Sequence, residues 1–162
     1  MEKILNVAQF IIDEYQKITK TKIDEMKLHK LLYFAQRESF AITGEPLFAE
    51  ELEGWKHGPV SREVRCNFDE GEIACKTDKI FDDAAYIVRN VIFTYGALSS
   101  WRLRDMSHED ISWINTRSGL SADENGNKVL DLEDIKKDAE KVRPYDHVWD
   151  MYYDEFDDAE VM

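Results

Sequence analysis

The sequence predicts a mainly α, compact single-domain bundle of about five to six helices, with a short β-hairpin or edge strand near residues 47–57. Three observations point there. Apolar residues recur at three- and four-residue spacing through several long segments, as one face of a helix requires. Only three prolines and seven glycines interrupt the chain, so little in it breaks helices. Its 162 residues suffice for one hydrophobic core but not for two ordinary ones.

The elements follow in order. Ile4, Leu5, Val7, Ala8, Ile11, Ile12, Tyr15 and Ile18 form the apolar face of a first helix. Asp24 offers a carboxylate to the free N–H groups of a second, which runs through Leu28, Leu31, Leu32 and Ala35 toward Ile42. Gly44, free to turn left-handed, and Pro46, unable to continue a helix, mark its end. Leu47, Phe48, Leu52 and Trp55, interleaved with acids, suit a short extended stretch. Asn67 to Ile80 is polar and reads as an irregular connection. From about Asp83 a long helix carries Ala84, Ile87, Val88, Val91, Ile92 and Tyr95, with Gly96 near its end. Ser99 or Ser100 then caps a shorter helix containing Trp101, Leu103 and Met106. His108-Glu109-Asp110 reads as a capped helix end or turn. Residues 115–128, dense in Asn, Gly, Ser and Asp, form a loop. Asp131 caps a last helix, LEDIKKDAEKV, which Pro144 stops.

Composition bounds the function. With 43% hydrophobic and 34% charged residues the chain is not disordered along most of its length. No apolar run approaches the roughly 20 residues that cross a bilayer, and the N-terminus lacks the pattern of a signal peptide, so a cytoplasmic protein is expected. Cys66 and Cys75 show no metal or redox spacing and read as reduced thiols. The net charge of −13 repels nucleic-acid phosphate, and no basic stripe offsets it, so direct nucleic-acid binding is not expected. Residues 145–162 alone hold seven acids and no Lys or Arg, which leaves −6 to the other 144 residues.

The chemistry-bearing stretch is ELEGWKHGPV, residues 51–60. Pro59 fixes its own φ and disfavours an α conformation in the residue before it, where Gly58 removes any side-chain clash. Gly58-Pro59 is thus expected to turn an extended segment into the first turn of a helix carrying Ser61, Glu63 and Val64. Trp55 pins this corner and its indole N–H needs an acceptor, while His57 is expected to hydrogen-bond locally. A catalytic His57 finds no activated Ser or Cys nearby. His29, His57, His108 and His147 do not pair with one another or with Cys at ligand spacing, so no metal site is expected. A glycosidase-like pair of carboxylates needs a separation in space that spacing in sequence does not specify. No glycine-rich phosphate loop is present, and no cofactor is expected.

Several stretches together resemble a known family. KLHKLLYFAQ (27–36), EGWKHGPV (53–60), LSSWRLRDMSHEDISW (98–113) and LEDIKK (132–137) occur in the order and approximate spacing of the Panacea, or SocA-like, antitoxin domain. The likeness spans about residues 1–140. Its signature positions here are Lys27, Leu28, Lys30, Leu31, Tyr33, Trp55, His57, Gly58, Pro59, Val60, Leu103, His108 and Trp113, with Ser112 standing where the family often has proline. The resemblance implies a non-enzymatic antitoxin that binds and neutralises a cognate toxin, with these residues maintaining the scaffold. It does not imply an oligomeric state.

The expected organisation is a Panacea-like domain over 1–142 and an acidic, aromatic C-terminal segment over 143–162. Trp149, Tyr152, Tyr153 and Phe156 fall three or four residues apart, so a helix would align them on one stripe. With carboxylates opposite, Asp150, Asp154 and Asp157 among them, that stripe either grips the toxin or packs on the chain's own core. Two other classes remain at this stage. One is a phage or mobile-element protein mimicking nucleic acid to inhibit a host nuclease or defence enzyme. The other is a hydrolase using His57 or His108 with nearby carboxylates.

Overall fold

The computed structural model describes residues 1–142. His147 and the expected partner stripe, Trp149, Asp150, Tyr152, Tyr153, Asp154, Phe156 and Asp157, lie outside the described residues. What is described is mainly α: seven helices and two small antiparallel strand pairs.

Helix α1 (Ile4–Thr19) buries Ile4, Val7, Ala8, Ile11, Ile12 and Tyr15, six of the eight residues of the face its periodicity predicts, while Leu5 is half-buried and Ile18, in the last turn, is exposed. Lys3 gives it no side-chain cap, and the orphan N–H of Ile4 donates instead to Glu50 Oε2 at 3.0 Å. Helix α2 (Glu25–Thr43) starts at the predicted cap, with Asp24 Oδ1 accepting from the Lys27 N–H at 2.8 Å. It ends at Gly44, whose φ of +76° is the left-handed conformation expected there. Every residue from Lys27 to Ser39 is buried, so α2 is an axle enclosed on all sides rather than a one-faced surface helix. Helix α1, three later helices, α4 (Asp82–Tyr95), α5 (Ser100–Ser107) and α7 (Leu132–Ala139), and strand β2 (Gly58–Val60) surround it.

The hairpin pairs β1 (Glu53–Trp55) with β2 (Gly58–Val60) around a two-residue turn at Lys56-His57. Here the structure corrects the sequence reading: Pro59 does not enter a helix but sits in β2, opposite Gly54. The fixed φ of proline is tolerated at a strand edge as readily as in a first helical turn, and Gly58 takes up the strain at φ +112°. Helix α3 (Arg62–Asn67) begins only after Ser61, whose hydroxyl accepts from the Val64 N–H at 3.1 Å. The end of the 115–128 loop adds a third rung to the hairpin: Gly54 N–H donates to Lys128 O and Leu130 N–H to Leu52 O, both at 2.8 Å.

The connection expected over 67–80 is partly ordered as a second small pair, β3 (Phe68–Asp69) and β4 (Glu72–Ile73), turning through Glu70 and Gly71 at positive φ. Ile73 N–H ties it to α1 through Gln9 Oε1 at 3.0 Å. Helix α4 (Asp82–Tyr95) and helix α5 (Ser100–Ser107), the latter capped by Ser99, follow the prediction. Six-residue α6 (Ile111–Thr116) was not anticipated, since it is too short for periodicity to reveal. Helix α7 (Leu132–Ala139) starts at Asp131, whose carboxylate accepts from the Glu133 N–H at 2.8 Å. No helix among the described residues is long and apolar enough to cross a membrane.

Candidate functional site

The resemblance-bearing residues of the hairpin, α2, α5 and α6 converge on one region. Gly58 lies against α2 and α5 so closely that a Cβ on it would stand 2.6 Å from Lys30 Cε and 2.8 Å from Ser107 Oγ. Glycine is therefore required twice over, by φ and by space. The neighbouring carbonyl of Pro59 accepts from the Lys30 ammonium at 3.1 Å, and Ser61 N–H donates to His29 Nδ1 at 3.2 Å. Two buried side chains of α2 thus hold β2 and the start of α3.

Trp55 pins the outer side. Its indole N–H finds the acceptor it needs in Glu53 Oε1 at 2.9 Å, and the same carboxylate takes Arg62 through two N–H groups at 3.0 Å each. The Arg62 and Arg65 guanidinium carbons lie 5.6 and 5.1 Å from the Trp55 ring centre, within cation–π range. The Trp55 carbonyl in turn accepts from Trp113 Nε1 at 2.8 Å. Trp113 carries His108 flat on its ring, centroids 3.7 Å apart and planes within 5°. Gly54 completes the joint: a Cβ there would fall 1.8 Å from Thr116 Oγ1. Leu28, Leu31 and Leu103 are fully buried and Val60 nearly so.

Among the described residues, neither His57 nor His108 pairs with a carboxylate or a nucleophile. His57 Nδ1 has no hydrogen-bond partner, contrary to the local bond expected from sequence, because the hairpin turns its ring edge-on to Trp101, centroids 5.5 Å apart. His108 Nε2 is likewise buried without a partner. Burial, with the Arg104 and Lys30 charges, lowers the His108 pKa to about 4; burial and the Lys56 charge lower that of His57. No carboxylate among the described residues hydrogen-bonds either ring, so neither has the orienting partner a general base uses. Among the described residues, no group of three or more His, Cys, Asp or Glu is placed to hold a metal ion. Cys66 and Cys75 are free and exposed.

A second cluster, which sequence reasoning missed, lies further along α2. The Tyr33 hydroxyl donates to Asp110 Oδ2 and lies 3.0 Å from Ser112 Oγ. Arg37 Nη1 also donates to Asp110 Oδ2, at 2.9 Å, and its Nη2 donates to the Tyr95 hydroxyl at 3.0 Å. The Tyr95 hydroxyl donates to Glu38 Oε1 at 3.2 Å. Asp138 accepts from the Ile111 and Ser112 N–H groups at 2.9 Å each, capping α6 from α7, and the Lys141 ammonium lies against Asp110 Oδ1. Burial pushes Tyr33 well above the usual tyrosine range and Glu38 up to about 7. Proline could not donate as the Ser112 N–H does. The only signal for this cluster in the sequence was the polar residues among the leucines of α2. Lys27, at the other end, donates to Tyr15 OH at 3.2 Å and Gly96 O at 3.0 Å.

The family model described as "Antitoxin SocA-like, Panacea domain" matches residues 28–114, just over half of the chain, from within α2 to within α6. No curated protein and no solved structure matches.

Proposed function

The chain belongs to the SocA-like Panacea antitoxin family, and from that premise we propose that it is the antitoxin of a toxin–antitoxin pair, neutralising its cognate toxin by direct protein binding rather than by catalysis. The family match carries this reading. It is supported by the way the signature side chains are spent. Lys30, Gly58 and Pro59 fasten the hairpin to α2, Trp55, His108 and Trp113 fasten it to α6, and Tyr33 fastens α2 to α6 and α7. Residues consumed in this way set a framework and leave partner choice to other surfaces.

The partner surface we assign is the acidic, aromatic segment from residue 145 on. Trp149, Tyr152, Tyr153 and Phe156 would supply apolar anchors for the toxin, with Asp150, Asp154 and Asp157 steering them toward a basic face. The test is growth rescue on co-expression with the toxin encoded beside this chain. Deleting residues 145–162, or replacing the four aromatics by Ala in the full chain, is expected to abolish rescue while the circular dichroism of the domain is unchanged. Replacing both His57 and His108 by Ala is expected to leave rescue intact. Rescue by the truncated protein would overturn the assignment of the surface, and loss of rescue by a folded double-histidine variant would overturn the non-catalytic reading.

A further inference from the structure

The hairpin and the first turns of α2 enclose a cleft of about 180 Å³ that the antitoxin reading leaves without a role. Lys30, Lys56 and Arg65, the last paired with Glu25 on the same wall, line it together with apolar Met26, Trp55 and Val60, and through Trp55 it adjoins an open hollow of about 390 Å³. Lys30 is the unusual member. It is 1% exposed, yet among the described residues its ammonium makes one hydrogen bond, to the Pro59 carbonyl, and no ion pair. Buried lysines are rare unless a carboxylate compensates them. Lys27, three residues earlier, has two oxygen acceptors and the face of Tyr15.

The nearby acids are already taken. Glu25 pairs with Arg65 at 2.8 Å and contacts His29 at 3.3 Å, and Glu53 pairs with Arg62 at 3.0 Å. Asp24, whose charge reaches Lys30 from a distance, is engaged by the Lys27 N–H and the Ser100 hydroxyl. What remains without an ion pair among the described residues is Lys30 inside and Lys56 at the turn. In a chain of net charge −13 this is a local concentration of positive charge against an aromatic wall.

We propose that this cleft binds a small organic oxyanion, a carboxylate or phosphate carried on a flat apolar group, with Lys30 and Lys56 receiving the oxygens and Trp55, Met26 and Val60 the apolar part. An ammonium with two unused donors beside a wall of this kind is the pattern of a site that orients an amphiphilic anion. Burial lowers the Lys30 pKa to about 7, so an arriving anion favours the charged ammonium and its binding is coupled to uptake of a proton from solvent by whatever fraction of Lys30 was neutral. The site needs no toxin, so its success or failure is separable from that of the antitoxin reading.

The test titrates the full chain with inorganic phosphate, phenyl phosphate, benzoate and, as a neutral control, benzyl alcohol. The Trp55 indole resonance and the Lys30 ε-carbon shift are followed by NMR. Phenyl phosphate and benzoate are expected to saturate and move both signals, inorganic phosphate to bind more weakly, and benzyl alcohol to bind weakest. Lys56→Gln is expected to weaken phenyl phosphate about threefold and Lys30→Met by about tenfold or more. Absence of saturation by either aromatic anion at 10 mM, equal binding of benzyl alcohol, or wild-type affinity in a folded Lys30→Met overturns the proposal. Should Lys30→Met fail to fold, an unmoved Lys30 signal in wild type together with wild-type affinity in Lys56→Gln does the same. Repeating the titration with Asp150, Asp154 and Asp157 replaced by Asn identifies the source of the oxyanion. Unchanged affinity points to a free anion, and a several-fold gain to the chain's own carboxylates competing for the same site.

Discussion

Replacing Lys30 by Met should stabilise the protein at neutral and acid pH, although it deletes a buried hydrogen bond from a signature residue. The folded state holds the Lys30 pKa at about 7 against an ordinary 10.5, burial being the main cause and the Asp24 charge opposing it. A base whose folded pKa lies below its unfolded value binds fewer protons when folded. Its contribution is therefore complete above 10.5 and is lost as the pH falls toward about 7. At about 1.4 kcal/mol per pKa unit, the cost of burying Lys30 is about 5 kcal/mol at pH 6 and about 1 to 2 kcal/mol at pH 9.5. Methionine has a similar reach and no charge. It forfeits the bond to Pro59 O, worth about 1 kcal/mol at every pH, and some packing. The difference in unfolding free energy between variant and wild type should thus be about 3 kcal/mol more favourable to the variant at pH 6 than at pH 9.5. Urea melts of both proteins at the two pH values read this, together with the smaller change at His29, His57 and His108, whose pKa values the Lys30 charge also lowers. A difference independent of pH would refute the reasoning, whatever its sign.

Two further expectations rest on separate parts of the fold. Glu38 has its pKa raised from 4.5 to about 7, chiefly by burial, so its contribution is complete below 4.5 and lost as the pH rises through about 7. Glu38→Gln keeps an acceptor for the Tyr95 hydroxyl and should be more stable than wild type by about 3 kcal/mol at pH 8 but near neutral at pH 4 in urea melts. Gly54→Ala, whose Cβ would fall 1.8 Å from Thr116 Oγ1, should lower stability by about 2–3 kcal/mol, and adding Thr116→Gly should recover a large part of the loss. A Gly54→Ala protein that melts like wild type would mean that β1 and α6 are not in contact as described.

The parts of the fold legible in sequence are those with local causes. Asp24, Ser99 and Asp131 each cap a helix, and Gly44 ends one in the left-handed conformation, because a cap needs only neighbours within a few residues. The α1 face was legible because eight apolar residues keep one period. What escaped was non-local. Whether Pro59 starts a helix or lies in a strand depends on Lys128 to Leu130 arriving beside β1, some seventy residues later. Helix α6 has only six residues, and its first N–H groups are satisfied by Asp138 from α7, which no local pattern announces. The charged members of α2 look like a solvated face in sequence. They are buried because partners from separate segments meet them.

Those partners suggest why a framework of this kind suits a protein that must present other surfaces. Gln36 takes the Leu47 and Phe48 backbone, Ser39 the Glu45 carbonyl, His29 the Ser61 N–H, Lys27 the Gly96 carbonyl and Arg37 the Asp110 carboxylate. These bonds reach four separate connections, so one helix fixes the path of several of the loops around it. Buried polar contacts of this sort add little net stability, but a wrong register strands several of them at once, which penalises alternative packings. Surface residues can then change without moving the loops. In that scheme each polar side chain of α2 accounts for a segment of the chain, and Lys30 is the one whose charge the Pro59 carbonyl leaves under-compensated. This is why the cleft beside it, which has room for a ligand, rather than the fully enclosed Tyr33 cluster, is the place to look for one.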